Sequence, residues 1–308
     1  MKQSFWIGIA AISFAVIAWG IQLPVAKDAF DTVDLFHLTS IRYVGAVICL
    51  AAMLVYREGL AALSFDGNLV LLSTLGVIGM CFSPVLVFIG MSMSAAEHAV
   101  IIVSLQPTVT AAALWLQGKQ RPSVFTLVCV AVALVGVILV VTKGGLSIGG
   151  SRRELLGDLI VFGGAVAWVI YSLGATKFSR FSTWRLTVLT MFPGAVATVL
   201  ITVLMIQFGD VTPPTLSDYR QVSLEIAYLT FIGVFLAILA WNFGLRKVGA
   251  QNATLLINLM PVTAFAYRSW QGVRFEAVEL LGVALVVSAL IANNLMQRHQ
   301  QLKLSGLK

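Results

Sequence analysis

The amino-acid sequence predicts an all-α integral membrane protein whose ten transmembrane helices form two inverted five-helix repeats. Composition gives the first indication, because 59% of the 308 residues are hydrophobic and only 11% are charged, against about a quarter charged in soluble domains. The charged residues are also clustered, and they leave ten apolar runs that each match the roughly 20 residues needed to cross a bilayer core. Finally, segments of the two halves resemble each other at a constant spacing.

The ten runs follow one another with short loops, so no part of the chain remains for a soluble domain. In chain order they are 3–26, 35–56, 67–96, 98–118, 122–142, 159–176, 186–209, 226–245, 248–267 and 280–297. The first run could instead be a signal peptide, but its Ala18-Trp19 pair recurs as Ala167-Trp168 in the sixth run, which favours a retained helix. We divide the chain into a first repeat (1–142), a linker (143–154), a second repeat (155–297) and a cytoplasmic tail (298–308).

The distribution of basic residues predicts the orientation. With both termini inside the cell, twelve of the 20 Lys and Arg residues lie on the cytoplasmic side and seven on the outer side, while Arg42 lies within a span. Basic residues near span ends favour the cytoplasm, so we expect a multi-pass protein of the cell (inner) membrane with both termini cytoplasmic. The net charge of +7 then reflects topology and the lipid bilayer, and not nucleic-acid binding.

The internal repeat has an offset of 154 residues. Residues 75–118 match residues 229–272 at eleven of 44 positions without a gap. The most informative matches are Gly79 with Gly233, Gly90 with Gly244, Pro107 with Pro261, Gln117 with Gln271, and Gly118 with Gly272. Because each half has an odd number of spans, the second half enters the membrane from the opposite side. Inverted repeats of this kind are typical of secondary transporters with a substrate site near the bilayer midplane.

The paired prolines predict helix bends. Pro107 and Pro261 fall in the middle of spans four and nine, where a proline removes one backbone hydrogen bond and can kink the helix. Either bend could serve packing alone, but the repeated position favours bends that shape a central pathway. The Gln-Gly pairs at the ends of the same spans suit helix C-caps, and we interpret them as structural.

Polar residues within the spans are the candidate substrate-binding residues, because they are costly in a membrane unless they face a partner or water. Gln251 and Asn258 are two helical turns apart in span nine, and Glu97 and Ser104 repeat this spacing in span four. We expect these two stripes to line one cavity, with hydrogen bonding between helices as the alternative.

Tryptophan gives a second repeated pattern. Trp19 is followed three residues later by Gln22, and Trp168 by Tyr171, so each indole shares a helix face with a hydrogen-bonding side chain. Both indoles are too far from the span ends for an interfacial anchor, which leaves cavity lining or core packing. Trp241 and Asn242 in span eight are further candidates, although Arg246 is only one turn away.

Two charged residues lie in or near the spans. Arg42 could extend outward toward Asp31 or Asp34, hold the bundle together, or bind the carboxylate of a substrate. Glu97 could couple transport to protons, or it could simply stabilise a helix start.

Several function classes find no support in the sequence. The three cysteines lie singly in separate apolar runs, and neither an HExxH motif nor the GK[ST] ending of a phosphate-binding loop occurs. We therefore expect no metal, no cofactor and no enzymatic activity.

These features together resemble the ten-helix EamA-type branch of the drug/metabolite transporter superfamily. The resemblance includes AWG at 18–20, the arginine in LTSIRY at 38–43, and the proline-containing fourth and ninth spans that end in glycine. It implies a cavity lined by spans one, three, four, six, eight and nine, and export of amino acids or other small metabolites. Family members commonly carry Glu after each of those glycines, whereas this chain has Lys119 and Val273, so no role of that Glu transfers.

A transporter that moves a small-molecule substrate by alternating access is therefore the predicted function. An intramembrane enzyme acting on lipid, or a sensor or scaffold, is the alternative from another class. Substrate identity, direction, coupling ion and oligomeric state stay open.

Overall fold

The prediction of an all-α membrane fold is confirmed. A computed structural model describes residues 2–118, 123–143 and 151–304, and over these residues the chain forms helical spans and no strand. The helices are α1 (Lys2–Ala29), α2 (Leu35–Glu58), α3 (Leu69–Met93), α4 (Ala96–Leu116), α5 (Val124–Thr142), α6 (Arg152–Ala175), α7 (Thr183–Gln207), α8 (Ser223–Gly249), α9 (250–257 and Leu259–Trp270) and α10 (Ala277–Leu304).

Helices α1 to α8 are each long and apolar enough to cross a membrane, and α10 contributes a shorter apolar stretch, Ala277–Asn293. Helix α9 follows α8 after a kink at Gly249, whose φ of 76° lies in the left-handed region that glycine tolerates. Large apolar side chains such as Ile48 and Leu200 are exposed on the outside of the bundle, as expected where lipid replaces water. The chain is therefore a multi-pass membrane protein.

Side-chain caps fix where several helices begin. The side chain of Asp34 accepts hydrogen bonds from two backbone N–H groups at the start of α2, and Ser123 and Ser182 each accept one at the start of α5 and α7. Ser151 caps α6 through the N–H of Glu154. Helix α6 therefore begins inside the stretch that we assigned to the linker, while 144–150 lies outside the described residues.

The helix pairs follow a two-fold pattern. Helix α1 packs against α8 just as α3 packs against α6, while α2 pairs with α7 and α5 with α10. When the two halves are exchanged, the α1–α8 and α3–α6 pairs change places, while the α2–α7 and α5–α10 pairs each map onto themselves. The architecture of two inverted five-helix repeats is thus visible in the packing as well as in the sequence.

Glycine pairs allow these helices to approach closely. A Cβ atom at Gly157 would lie 2.6 Å from the carbonyl oxygen of Gly90, between α6 and α3, and a Cβ at Gly244 would lie 2.8 Å from that of Gly8, between α8 and α1. The two pairs are related by the repeat. Small residues at interfaces are how membrane helices gain van der Waals contact, so these glycines fix the spacing of the bundle.

Candidate functional site

A cavity of about 90 Å³ lies in the centre of the bundle. Its walls come from seven helices, α1, α2, α3, α4, α6, α8 and α9, so both repeats contribute. The six helices implied by the family resemblance are all present, and α2 joins them through Tyr43. A single water needs roughly 10–15 Å³ by a comparable measure, so the cavity has room for several waters or a small organic molecule.

Three tryptophans form the aromatic wall. The ring centroids of Trp19 lie 5.3 Å from those of Trp168 and of Trp241, and Trp168 lies 5.2 Å from Tyr171. Trp19 and Trp168 line the central cavity, whereas Trp241 lines a smaller adjacent one of about 20 Å³ that also contains Trp168. Edge and tilted arrangements at these distances are favourable for aromatic pairs, so the rings stabilise one another's positions.

The repeated Trp and polar pattern of the sequence packs onto repeated glycines. Trp19 Nε1 donates a hydrogen bond of 2.9 Å to the carbonyl oxygen of Gly233, and Gln22 packs against the same glycine. In the other half, Tyr171 packs against Gly79, which is related to Gly233 by the offset of 154 residues. The two motifs therefore occupy equivalent places in the two repeats.

Both glycines lie in stretches of wider, π-type helical turns. These stretches are Val77–Phe82 in α3 and Tyr228–Leu236 in α8. Such turns leave backbone carbonyls free to accept from side chains and are frequent at functional sites. Here they position Gly233 and, directly after the first stretch, Ser83 in the cavity wall.

Helices α4 and α9 are each broken into two segments, and the two breaks lie at equivalent positions of the repeats. The first segments end at Val103 and Ile257, four residues before Pro107 and Pro261 respectively. A proline ring clashes with the backbone carbonyl of the residue four positions earlier, and each first segment ends at that residue. The role of these breaks in gating stays a prediction.

The residue before each proline lines the cavity. Gln106 and Met260 are related by the same offset of 154 residues and contribute one polar and one apolar side chain. We did not select Gln106, Ser83 or Tyr43 as candidates from the sequence. For Gln106 a signal was present, since it is a polar residue next to a helix break.

The polar groups of the central cavity are few and uncharged. They are mainly the side chains of Gln22, Ser83 and Gln106, and no acidic or basic side chain is among the described residues that line it. The Oε1 atom of Gln22 is buried and has no hydrogen-bond partner in the described part of the chain. The aromatic wall can contact the apolar part of a ligand, and Gln22 Oε1 can accept a hydrogen bond from a donor group of that ligand.

The described residues of the two polar stripes are not among those that line the central cavity. Ser104 is buried in the α4 break, where its hydroxyl donates to the Ile101 carbonyl at 2.6 Å. Asn258 is buried in the α9 break, and neither Ser104 nor Asn258 is among the lining residues. Ser104 and Asn258 each directly follow the last residue of the first segment of their helix, so both stripes end at the break, where Ser104 bonds the backbone of its own helix. The side chain of Gln251 lies outside the described part of the chain.

Asn242 takes part in a buried network and not in the cavity wall. Its amide nitrogen lies 3.3 Å from the Tyr171 hydroxyl and 2.9 Å from that of Thr187. Asn242 and Tyr171 are both at most 2% exposed. The network joins α6, α7 and α8 behind the aromatic wall, which places both residues in positions that support the wall.

Glu97 lies at one end of the bundle in an ion-pair network. Arg268 Nε donates to Glu97 Oε1 at 2.9 Å, and the same guanidinium contacts Asp28 Oδ1 at 3.0 Å. The side chain of Gln271 bonds both Arg268 and Asp28. Helices α1, α4 and α9 are thereby joined at this end, away from the central cavity.

The two ends of the bundle are packed differently. The second segment of α9 lies along α1, whereas the repeat-related segment of α4, Gln106–Leu116, makes sparse contact with α6. Gly20 permits the first approach, because a Cβ there would lie 2.7 Å from the carbonyl oxygen of Met260. Counting from Trp19 and Trp168, the residue equivalent to Gly20 in α6 is Val169. The structure is therefore closed at the Arg268 end and looser at the opposite end.

A further polar cluster joins the α3–α4 turn to α6. Ser94 Oγ lies 2.6 Å from Asp158 Oδ1 and 3.0 Å from His98 Nδ1, and His98 Nδ1 lies 3.4 Å from Asp158 Oδ2. In a hydrolytic triad the imidazole stands between the hydroxyl and the carboxylate and uses both ring nitrogens. Here the hydroxyl and the carboxylate face the same nitrogen, so the cluster has the geometry of a structural clamp.

Arg42 does not extend toward solvent, which corrects one of our alternatives. Its side chain is 1% exposed, and Asp34 pairs instead with His37 at 2.5 Å. The guanidinium carbon lies 4.2 Å from the ring centroid of Phe88 and 5.2 Å from that of Tyr43. An arginine eight residues into a helix reaches the interior, because the helix rises about 1.5 Å per residue.

Comparison with known proteins identifies a family that the chain matches. The chain matches the EamA-like transporter family over residues 6–142 and 155–295. It is 29% identical to the uncharacterized transporter YrdR of Bacillus subtilis, over 98% of this chain and 95% of that protein. It is 28% identical to the uncharacterized transporter YyaM of the same organism, over 79% and 78%. A solved crystal structure with 19% identity has the same fold, with a TM-score of 0.71 over 97% of this chain and 99% of the other.

Proposed function

Because this chain belongs to the EamA-like transporter family, we propose that it is a secondary transporter that moves a small organic metabolite by alternating access. The observation that carries the proposal is the central cavity, to which both inverted repeats contribute and whose two ends are packed differently. Rocking of two repeats around a midplane site is the mechanism typical of such architectures.

Amino acids are the substrate class to test first, and export is the expected direction. Support comes from the resemblance to family members that export amino acids and other small metabolites, and from a cavity that combines aromatic walls with a few amide and hydroxyl groups. Such pockets hold the apolar body of a ligand by contact and orient it by a few polar groups. The partners are then the substrate and the lipid bilayer, and no cofactor takes part.

The test is transport by the purified protein in proteoliposomes. A panel of labelled amino acids is assayed with and without a pH gradient, which also identifies proton coupling. Trp168→Ala removes a cavity wall residue, and Trp270→Ala is its matched control because Trp270 is 81% exposed. We expect Trp168→Ala to reduce substrate affinity at least about tenfold, since buried tryptophans dominate many binding sites.

Two results would contradict the proposal. The first is the absence of uptake for every compound in the panel by protein that is folded in the liposomes. The second is an equal effect of the two tryptophan variants, because an exposed residue and a cavity residue then could not be distinguished.

A further inference from the structure

Arg42 is a buried cation, and the described part of the chain supplies no counter-charge for it. None of its three guanidinium nitrogens has a hydrogen-bond partner, and no carboxylate lies within ion-pair distance, among the residues that the structure describes. A charge that is removed from water without a partner is strongly unfavourable. Ionisable residues inside a membrane protein commonly mark the substrate or ion pathway.

The position of Arg42 connects it to the cavity. Its guanidinium stacks on the face of Phe88 and lies close to Tyr43, and both of these rings line the central cavity. The positive charge is thus separated from the cavity by one layer of aromatic side chains. Electrostatic interactions are strong in such a low-dielectric setting, so the positive charge of Arg42 favours an anionic group in the cavity.

The second repeat shows a different arrangement at the related position. Offset by 154 residues, Phe88 corresponds to Asn242, whose amide is bonded by Tyr171 and Thr187. The amide of Asn242 is thus hydrogen-bonded within the protein, whereas the guanidinium of Arg42, against Phe88, has no partner among the described residues. The asymmetry is expected if a ligand supplies the missing partner.

We propose that the transported compound carries a carboxylate group and that Arg42 is its counter-ion, with the Phe88 ring as the movable part of the wall between them. The proposal rests on the transport function above and deepens it. A guanidinium binds a carboxylate through two parallel N–H···O bonds. One guanidinium neutralises a single negative charge, which favours a carboxylate over a phosphate monoester with its charge of about −1.5 to −2.

The first experiment compares compounds that share a side chain and differ in whether they carry a free carboxylate or an amine. Two matched series are used, one aromatic (3-phenylpropionate, L-phenylalanine, L-phenylalaninamide and 2-phenylethylamine) and one aliphatic (4-methylpentanoate, L-leucine, L-leucinamide and 3-methylbutylamine). Binding is measured by thermal stabilisation of the purified protein, and transport by counterflow in proteoliposomes. We expect the members with a free carboxylate to bind, and the amides and amines to bind at least about tenfold more weakly, as for hydrogen bonds to charged groups.

The second experiment changes the arginine. Arg42→Gln is expected to remove the preference for carboxylates, and Arg42→Lys is expected to retain part of it. Arg57→Gln is the matched control, because Arg57 is on the same helix and also stacks on an aromatic ring, that of Trp184, but is exposed. Without ligand, Arg42→Gln is expected to leave the unfolding temperature unchanged or higher, since it removes an uncompensated buried charge. If Arg42 instead holds the bundle together, Arg42→Gln should lower the unfolding temperature.

The outcomes separate this inference from the transport proposal. Binding of carboxylates that depends on Arg42, without counterflow, would support the anion site and contradict the transport function. Counterflow of amides or amines at the same rate as the acids would support transport and overturn the role of Arg42. The role is also overturned if folded Arg42→Gln protein keeps its carboxylate preference, or if Arg57→Gln loses it equally.

Discussion

Removal of the Glu97 charge is expected to loosen the closed end of the bundle. Arg268 joins Glu97 on α4 to Asp28 on α1 through hydrogen bonds of 2.9 and 3.0 Å. Offset by 154 residues, the positions equivalent to Glu97 and Arg268 are Gln251 and Leu114, which cannot form an ion pair at the other end. Loss of the pair should therefore destabilise one conformational state and not its inverted counterpart.

The free-energy effect of the substitution can be estimated from the exposure of the Glu97 and Arg268 side chains. A hydrogen bond to a charged group contributes about 1.5–3 kcal/mol, whereas exposed ion pairs contribute about 0–1 kcal/mol. The side chains of Glu97 and Arg268 are 14% and 21% exposed, and Arg268 keeps Asp28 as a partner. We therefore expect Glu97→Gln to shift the equilibrium by about 1 kcal/mol, or about fivefold in the ratio of the two states.

The assay measures the opening directly. Spin labels are attached to cysteines that replace Asp31 and Trp270, in a variant without the native cysteines, and the distance distribution is recorded by electron paramagnetic resonance in nanodiscs. Glu97→Gln should increase the long-distance population. The matched control is Glu154→Gln, which removes an acid at the start of α6 at the same end. An unchanged distribution, or the same change in the control, would refute the ion pair as a lock.

The same variant separates a lock from a proton-coupling site. If Glu97 carries a coupled proton, Glu97→Gln should abolish the response of transport to a pH gradient while substrate exchange survives. If Glu97 is a lock, the response to the gradient should persist and the rates should change in both conditions. Measuring both on one proteoliposome preparation decides between the two roles.

Four further expectations follow from the packing and the topology. Gly20→Val should open the same end more strongly than Glu97→Gln, because the new side chain collides with α9; an unchanged distance between the two spin labels would contradict this. The side chain of Asn258 has two buried polar atoms without partners among the described residues, so Asn258→Leu should raise the unfolding free energy by about 1 kcal/mol and preserve transport. Loss of transport at unchanged stability would assign Asn258 to the substrate pathway. A cysteine in the linker 144–150 should react with an impermeant reagent from outside intact cells, and labelling only after permeabilisation would reverse the predicted orientation. The hydrogen bond from Arg185 lowers the pKa of Asp66 below its ordinary 3.8. Asp66→Asn should therefore lower thermal stability slightly at pH 7 and have no effect once the pH falls below the lowered pKa. An equal loss of stability at both pH values would contradict this.

Much of the fold was predictable because it depends on local chemistry. The spacing of charged residues defines the spans, since a charge in the bilayer is costly wherever the helix faces. The odd number of spans per half is enough to predict inversion. Pro107 and Pro261 indicate the breaks, because a proline removes a backbone hydrogen bond and clashes with the carbonyl four residues earlier, although α1 and α7 continue through Pro24 and Pro193. The Trp19 and Trp168 motifs could likewise be selected from their repeated spacing.

The site itself depended on the tertiary structure. Arg268 is 171 residues from Glu97, and nothing in the local sequence pairs them. Tyr43 and Gln106 line the cavity because of the rotation of α2 and the break in α4, and the burial of Arg42 depends on Phe88 of another helix. The physical reason is that a membrane helix is apolar toward lipid and toward its neighbours alike. Periodicity therefore gives the number and length of the spans, while only packing decides which face of each span is turned to the cavity.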